Sequence, residues 1–237
     1  MTEAEWVRAT GTDELLDLLH LPVPGRKMRL AGCACGRRVS PSLATPLFDD
    51  LLTAAERVAD GQLTQGDLSP LIHSTQQLVD QDPPPFFQYA VGGIGFAAVH
   101  LVDRRYFQHG LSLLANAAAY RVAPATSDPE LNDGRRMRSD PAWHEAWAAE
   151  QSAQVALLRD VFGNPFRTVN FDPAWLTPTA VGLAEAIYAD RAFDRLPILA
   201  DSLQDAGCED EAILGHCRGD GVHVRGCWVL DGVLGNG

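Results

Sequence analysis

The sequence predicts an all-α protein, a multi-helical globular domain that can divide into two helical lobes. Three observations carry this. Apolar residues recur about once per helical turn along most of the chain. Few stretches alternate with period two or cluster β-branched residues, as a large sheet would require. The composition, 46% hydrophobic and 21% charged over 237 residues, belongs to a chain able to bury a core.

The elements follow in order. Thr2 and Glu5 have capping-box spacing and start a helix. Residues 13–19 form a second, with Thr12 as N-cap, and the prolines and glycine of 21–25 make a loop. Residues 26–38 read as a helix with arginines outside and Met28, Leu30, Ala31 and the Cys33-Ala34-Cys35 segment inside. Leu47, Phe48, Leu51, Leu52, Ala55, Val58 and Ala59 fall on one stripe that Gly61 closes. Ser69 and Pro70 open the next helix, which residues 83–85 end. Residues 90–119 read as helix. Gly92, Gly93 and Gly95 lack the Lys-Ser or Lys-Thr that would follow in a phosphate loop, so close helix packing or a helix break explains them.

A polar loop at 123–141 divides an N-terminal helical region, 1–122, from a C-terminal one, 142–237. Asp140 and Pro141 open a helix to about residue 162 whose expected buried stripe is Ala149, Ala153, Ala156, Leu157 and Val161. A short turn at 172–175 precedes helices marked by Val181, Ala184, Ile187 and Tyr188, and by Leu196, Leu199, Ala200 and Leu203. Two short helices follow, near 209–218 and 224–234. Trp143, Trp147, Leu157, Phe162, Trp175, Ile187, Leu199 and Trp228 are the expected C-terminal core.

Charge narrows the function classes. With 31 acidic and 19 basic side chains the net charge is -12, which disfavours nucleic acid as a partner. The opening MTEAEW is acidic where a secretory signal is basic and then apolar, and five cysteines is an odd number to pair. Both favour a cytoplasmic protein. The apolar stretch 86–102 is short for a membrane span and holds Gln88, His100 and three glycines, so a buried helix is expected and no membrane association.

The segments MTEAEW and RKMRLAGCACGRR, and then ALLRDVFGNPFRTV, DPAWLT, AIYADRAFDRLPILADSLQDAGC and ILGHCRGDGVHVRGCWVLDGVLG, resemble the two ends of an uncharacterised bacterial protein family. The resemblance covers roughly residues 1–65 and 150–235 and implies a variable, often alanine-rich middle. It implies no activity. Members read CACCRR where this chain has Gly36 before Arg37 and Arg38, which removes a cysteine from any metal or redox role there. Residues 199–207 also resemble a short motif that accompanies bacterial leucine-rich repeats, which favours an interaction module.

One constellation could carry chemistry. Cys208, His216, Cys217, His223 and Cys227 lie within twenty residues. His223 and Cys227 are four apart and would share a face of a helix. Thiolate and imidazole are zinc ligands, so Cys208, Cys217, His223 and Cys227, with Cys33 or Cys35 arriving from elsewhere, are the candidate metal ligands. No Cys-x-x-Cys pair is present, and buried structural thiols are the first reading. For catalysis the candidates are Cys217 as nucleophile and His223 as base, with no Asn or Asp evident to orient the imidazole. The expected function is a non-enzymatic helical module that binds other proteins. The alternatives are a thiol-dependent enzyme using Cys217 and His223, and a zinc-stapled domain.

Overall fold

In the computed structural model the described residues are 2–19, 25–81, 83–100, 103–122 and 140–236. Among them the chain forms twelve α-helices and no strand, as the hydrophobic spacing predicts. They are α1 (Glu3–Arg8), α2 (Thr12–Leu18), α3 (Gly25–Val39), α4 (Leu47–Ala59), α5 (Ser69–Val79), α6 (Pro85–Ile94), α7 (Arg104–Val122), α8 (Pro141–Phe162), α9 (Pro178–Asp190), α10 (Leu196–Asp205), α11 (Glu211–Arg218) and α12 (Trp228–Leu234). A π-helical turn, Gly95–Val99, continues α6. No helix among the described residues is long and apolar enough to cross a membrane.

The chain forms two compact units, residues 5–155 and residues 156–237 with 2–4. The boundary falls after Val155, inside α8. Of the loop expected at 123–141, residues 123–139 lie outside the described residues, as do residues 21–24 of the earlier loop. Trp143 and Trp147, expected in the C-terminal core, therefore belong to the first unit. There the two rings stack, and Trp143 meets Tyr120 edge-on.

The first unit is built around α3, which packs on α4, α6, α7 and the π turn. Every residue from Leu30 to Gly36 is buried. Small residues there let backbones touch. A Cβ on Gly32 would lie 2.0 Å from the carbonyl oxygen of Ala97, and one on Gly110 of α7 would lie 2.5 Å from the Ala97 nitrogen. A Cβ on Gly93 would likewise lie 2.7 Å from the Leu114 side chain, so close packing explains this member of the glycine run.

The arginines of α3 do not simply face solvent, as the sequence suggested. Arg29 donates to the carbonyls of Ala98 and Val99, at the end of the π turn, at 2.8 and 3.0 Å. Arg37 pairs with buried Glu56 at 3.0 Å, and Arg38 with buried Glu150 through three bonds of 3.0 to 3.1 Å.

Glu150 belongs to α8, and here the expected stripe needs correcting. Ala149 and Ala156 are exposed and Ala153 half-buried, whereas Glu150, Gln151, Gln154 and Asp160 are buried along with Val155, Leu157, Leu158 and Val161. Each of these buried side chains has at least one partner that a helical wheel cannot see, although Gln154 Oε1 accepts no hydrogen bond among the described residues. Gln151 accepts from the amide and hydroxyl of Thr12, both at 2.9 Å, and Gln154 donates to the Leu111 carbonyl at 3.2 Å. Thr12 is accordingly the first residue of α2, with Gly11 as its N-cap.

In the second unit α9 packs on α10 and α12, and α11 on α10 and α12. Ile187, Leu199, Leu203, Ile213 and Leu230 fill the core, with Cys208, Cys217 and Cys227 among them. The end of α8 is fixed by Gly163, left-handed at φ +65°, whose amide returns to the Arg159 carbonyl at 3.0 Å. The last helix starts at Trp228, later than the expected 224. Gly226 is left-handed at φ +91°, so a helix cannot pass through it.

A candidate metal centre

Four side chains from four segments of the second unit converge. Asp160 lies in the last turn of α8, His216 on α11, His223 in the non-helical connector after it, and Cys227 is the N-cap of α12. One donor atom from each lies within 4.8 Å of the others. Asp160 is 3% exposed, Cys227 0%, the His223 side chain 8% and the His216 side chain 20%.

The contacts within the cluster are short. Asp160 Oδ1 lies 2.7 Å from His223 Nδ1 and 3.1 Å from His216 Nε2. That same His216 nitrogen lies 3.2 Å from Cys227 Sγ. Asp160 Oδ2 accepts from the Val224 amide at 2.9 Å, which fixes the carboxylate with Oδ1 turned into the cluster. The two imidazoles meet edge to face, 4.7 Å between centroids, and His216 also leans on Trp228. His223 Nε2 is buried and finds no hydrogen-bond partner among the described residues.

The electrostatics explain why the cluster holds a carboxylate at all. Burial, the largest influence, raises the Asp160 carboxyl, but the hydrogen bonds and charges of His216 and His223 outweigh it and hold the group below the ordinary carboxylate range. Asp160 also sits at a helix C-terminus, where the backbone dipole disfavours an anion. The Cys227 thiol is pushed well above its ordinary 9.0 by burial and by the Asp160 charge, with the amides of Leu230 and Val229 acting in the opposite sense.

This arrangement brings together two of the sequence candidates, His223 and Cys227, and adds Asp160 and His216. The pairing of His223 with Cys227 does not arise from a shared helix face, since neither lies within a helix. Cys217 and Cys208 are not among the converging donors; both are core residues of the second unit. Burial pushes the Cys217 thiol up to about 12, with the Asp160 charge adding to it, and raises that of Cys208. Cys33 and Cys35 are buried in the first unit, and burial drives the Cys35 thiol far up. None of the five cysteines forms a disulfide. The acid that sequence reasoning did not find for His223 is Asp160, 63 residues upstream. Its signal was available: a helical face that buries Leu157 and Val161 also carries residue 160 inward.

Comparison with protein-family models, curated proteins and solved structures found no match. Any reading of function therefore rests on the geometry.

Proposed function

We propose that the second unit binds a divalent transition-metal ion, zinc by its donor chemistry, through Asp160, His216, His223 and Cys227, and that the ion has a structural role in a non-enzymatic helical module. One observation carries this reading. The carboxylate and the thiol approach the same nitrogen of His216, at 3.1 and 3.2 Å. A single N–H serves one acceptor well, so hydrogen bonding alone gives no reason for both to gather there. A metal ion does. Around a tetrahedral ion with bonds near 2.0 Å to nitrogen and oxygen and 2.3 Å to sulfur, donors sit about 3.3 to 3.6 Å apart. The contacts of 2.7, 3.1 and 3.2 Å are shorter than that, while the four donors as a set lie within 4.8 Å of one another, so a bound ion would spread the first and gather the rest.

The same contacts weigh against a thiol-dependent enzyme. A Cys-His-Asp relay needs the thiol on one ring nitrogen and the carboxylate on the other. At His216 both are on Nε2, and at His223, where Asp160 does hold Nδ1, no thiol among the described residues bonds Nε2. Cys217, the nucleophile expected from sequence, is buried and its thiol pushed up, which disfavours the thiolate. The donor set also argues for a structural ion. Four protein ligands complete a tetrahedron, whereas catalytic zinc keeps a position for water or substrate. When bound, such an ion supplies cross-linking and charge compensation. Asp160 offers one oxygen while Val224 holds the other, and Cys227 binds as thiolate.

The test is elemental analysis of untagged protein purified without chelator. About one zinc per chain is expected, falling severalfold in Asp160→Asn and Cys227→Ala, and a chelator should lower the melting temperature. Less than about one metal per several chains, after incubation with zinc and removal of the excess, would overturn the proposal.

A further inference from the structure

From the first unit, and independently of the metal reading, we infer a binding site for a small neutral apolar molecule beside the π turn. A cavity of about 160 Å³ opens there, with walls from Phe48, Leu51, Ile72, Val91 and Phe96 and with Gln76 and His100 among its polar lining groups. Its size is close to that of an apolar protein cavity known to admit benzene. The lining therefore selects a single aromatic ring or a short aliphatic chain, with room for one hydroxyl at the polar groups.

Two features point to a ligand rather than a packing gap. The first is Gly95. Glycines 32, 93 and 110 of this unit are required by contact, since a methyl group on any of them would strike a neighbour at under 3.0 Å. At Gly95 a Cβ would meet nothing closer than His100 Cδ2, at 3.8 Å, and its φ is an ordinary helical -55°. Neither packing nor backbone geometry requires glycine there, and Gly95 lines the cavity. The second is the π turn itself. Its geometry is held from outside by Arg29 and Gln65, which together place three hydrogen bonds of 2.8 to 3.0 Å on the carbonyls of Ala98 and Val99. π-helical turns are rare and recur at functional sites.

The probe is benzyl alcohol, titrated into isotopically labelled full-length protein. The amide signals of Gly92 and Gly95, both lining residues, should shift saturably. Gly95→Leu puts a side chain into the space without a backbone clash and should weaken binding at least about tenfold. Should that variant fail to fold, as judged by circular dichroism, Ile72→Trp fills the cavity from α5 and is expected to do the same. Shifts that stay linear with concentration, shifts spread over the surface without Gly92 and Gly95, or wild-type affinity in a folded cavity-filled variant would each overturn the inference.

Discussion

At the scale of single residues, Cys217 and Cys227 separate two chemistries that the sequence left together. Both are buried thiols of the same core. Cys227 touches His216 and sits with Asp160, whereas Cys217 has an apolar setting and a thiol raised to about 12. Cys227→Ala is therefore expected to abolish stoichiometric zinc binding. Cys217→Ala should retain the metal and cost about 1 kcal/mol of stability, the worth of a small buried side chain, measured by urea unfolding. The opposite pattern of metal loss would contradict the assignment. The constellation of His223 and Cys227 was legible because histidine and cysteine are few and lay close in sequence. Asp160 was not, because acids are common and a charge beside Arg159 in an apolar helix reads first as a solvent-facing group. His216 stood in the same constellation without a role, and its reach toward Cys227 became visible only with the turn at Gly226.

At the scale of elements, α8 and α3 show what periodicity does and does not reveal. The spacing of apolar residues located nearly every helix, because one buried stripe per helix is what packing requires. It misjudged the faces of α8, because glutamine and glutamate can be buried when a distant segment supplies the matching group. Arg38 and Thr12 do so, and neither lies near α8 in sequence. Glu150→Ala should thus destabilise the first unit by about 1–3 kcal/mol, since it removes the three hydrogen bonds that Arg38 donates to a buried carboxylate and leaves Arg38 without that partner. Gly32→Ala should cost at least as much, about 1–3 kcal/mol or more, since the methyl group meets the Ala97 backbone rather than a movable side chain. Both are read from chemical denaturation. Values below about 0.5 kcal/mol would mean that α3 does not pack as described.

At the scale of the whole molecule, the metal reading makes the second unit's stability conditional. A ligand that binds the folded state alone adds about 4 kcal/mol at a thousandfold excess over Kd. Chelation should accordingly raise hydrogen exchange in residues 156–162 and 211–234 while leaving α3, α6 and α7 protected. The metal-free protein should also have a definite pH window. Asp160 is held below its ordinary pKa, so the stability it contributes is present above the unfolded value near 4 and is lost as the pH falls through its lower folded value. Cys227 and Cys217 are raised above 9.0, so stability declines as the pH rises past the unfolded thiol value. Thermal melts of the metal-free protein should be highest between these limits. Bound zinc should hold the alkaline side up, because the ion keeps Cys227 as thiolate at neutral pH.

Zinc-edge X-ray absorption on the purified, zinc-loaded protein addresses the central claim directly. One sulfur at about 2.3 Å and three nitrogen or oxygen neighbours at about 2.0 to 2.1 Å are the shell that Cys227, His216, His223 and Asp160 would provide. A shell with no sulfur, or with two or more, would contradict it.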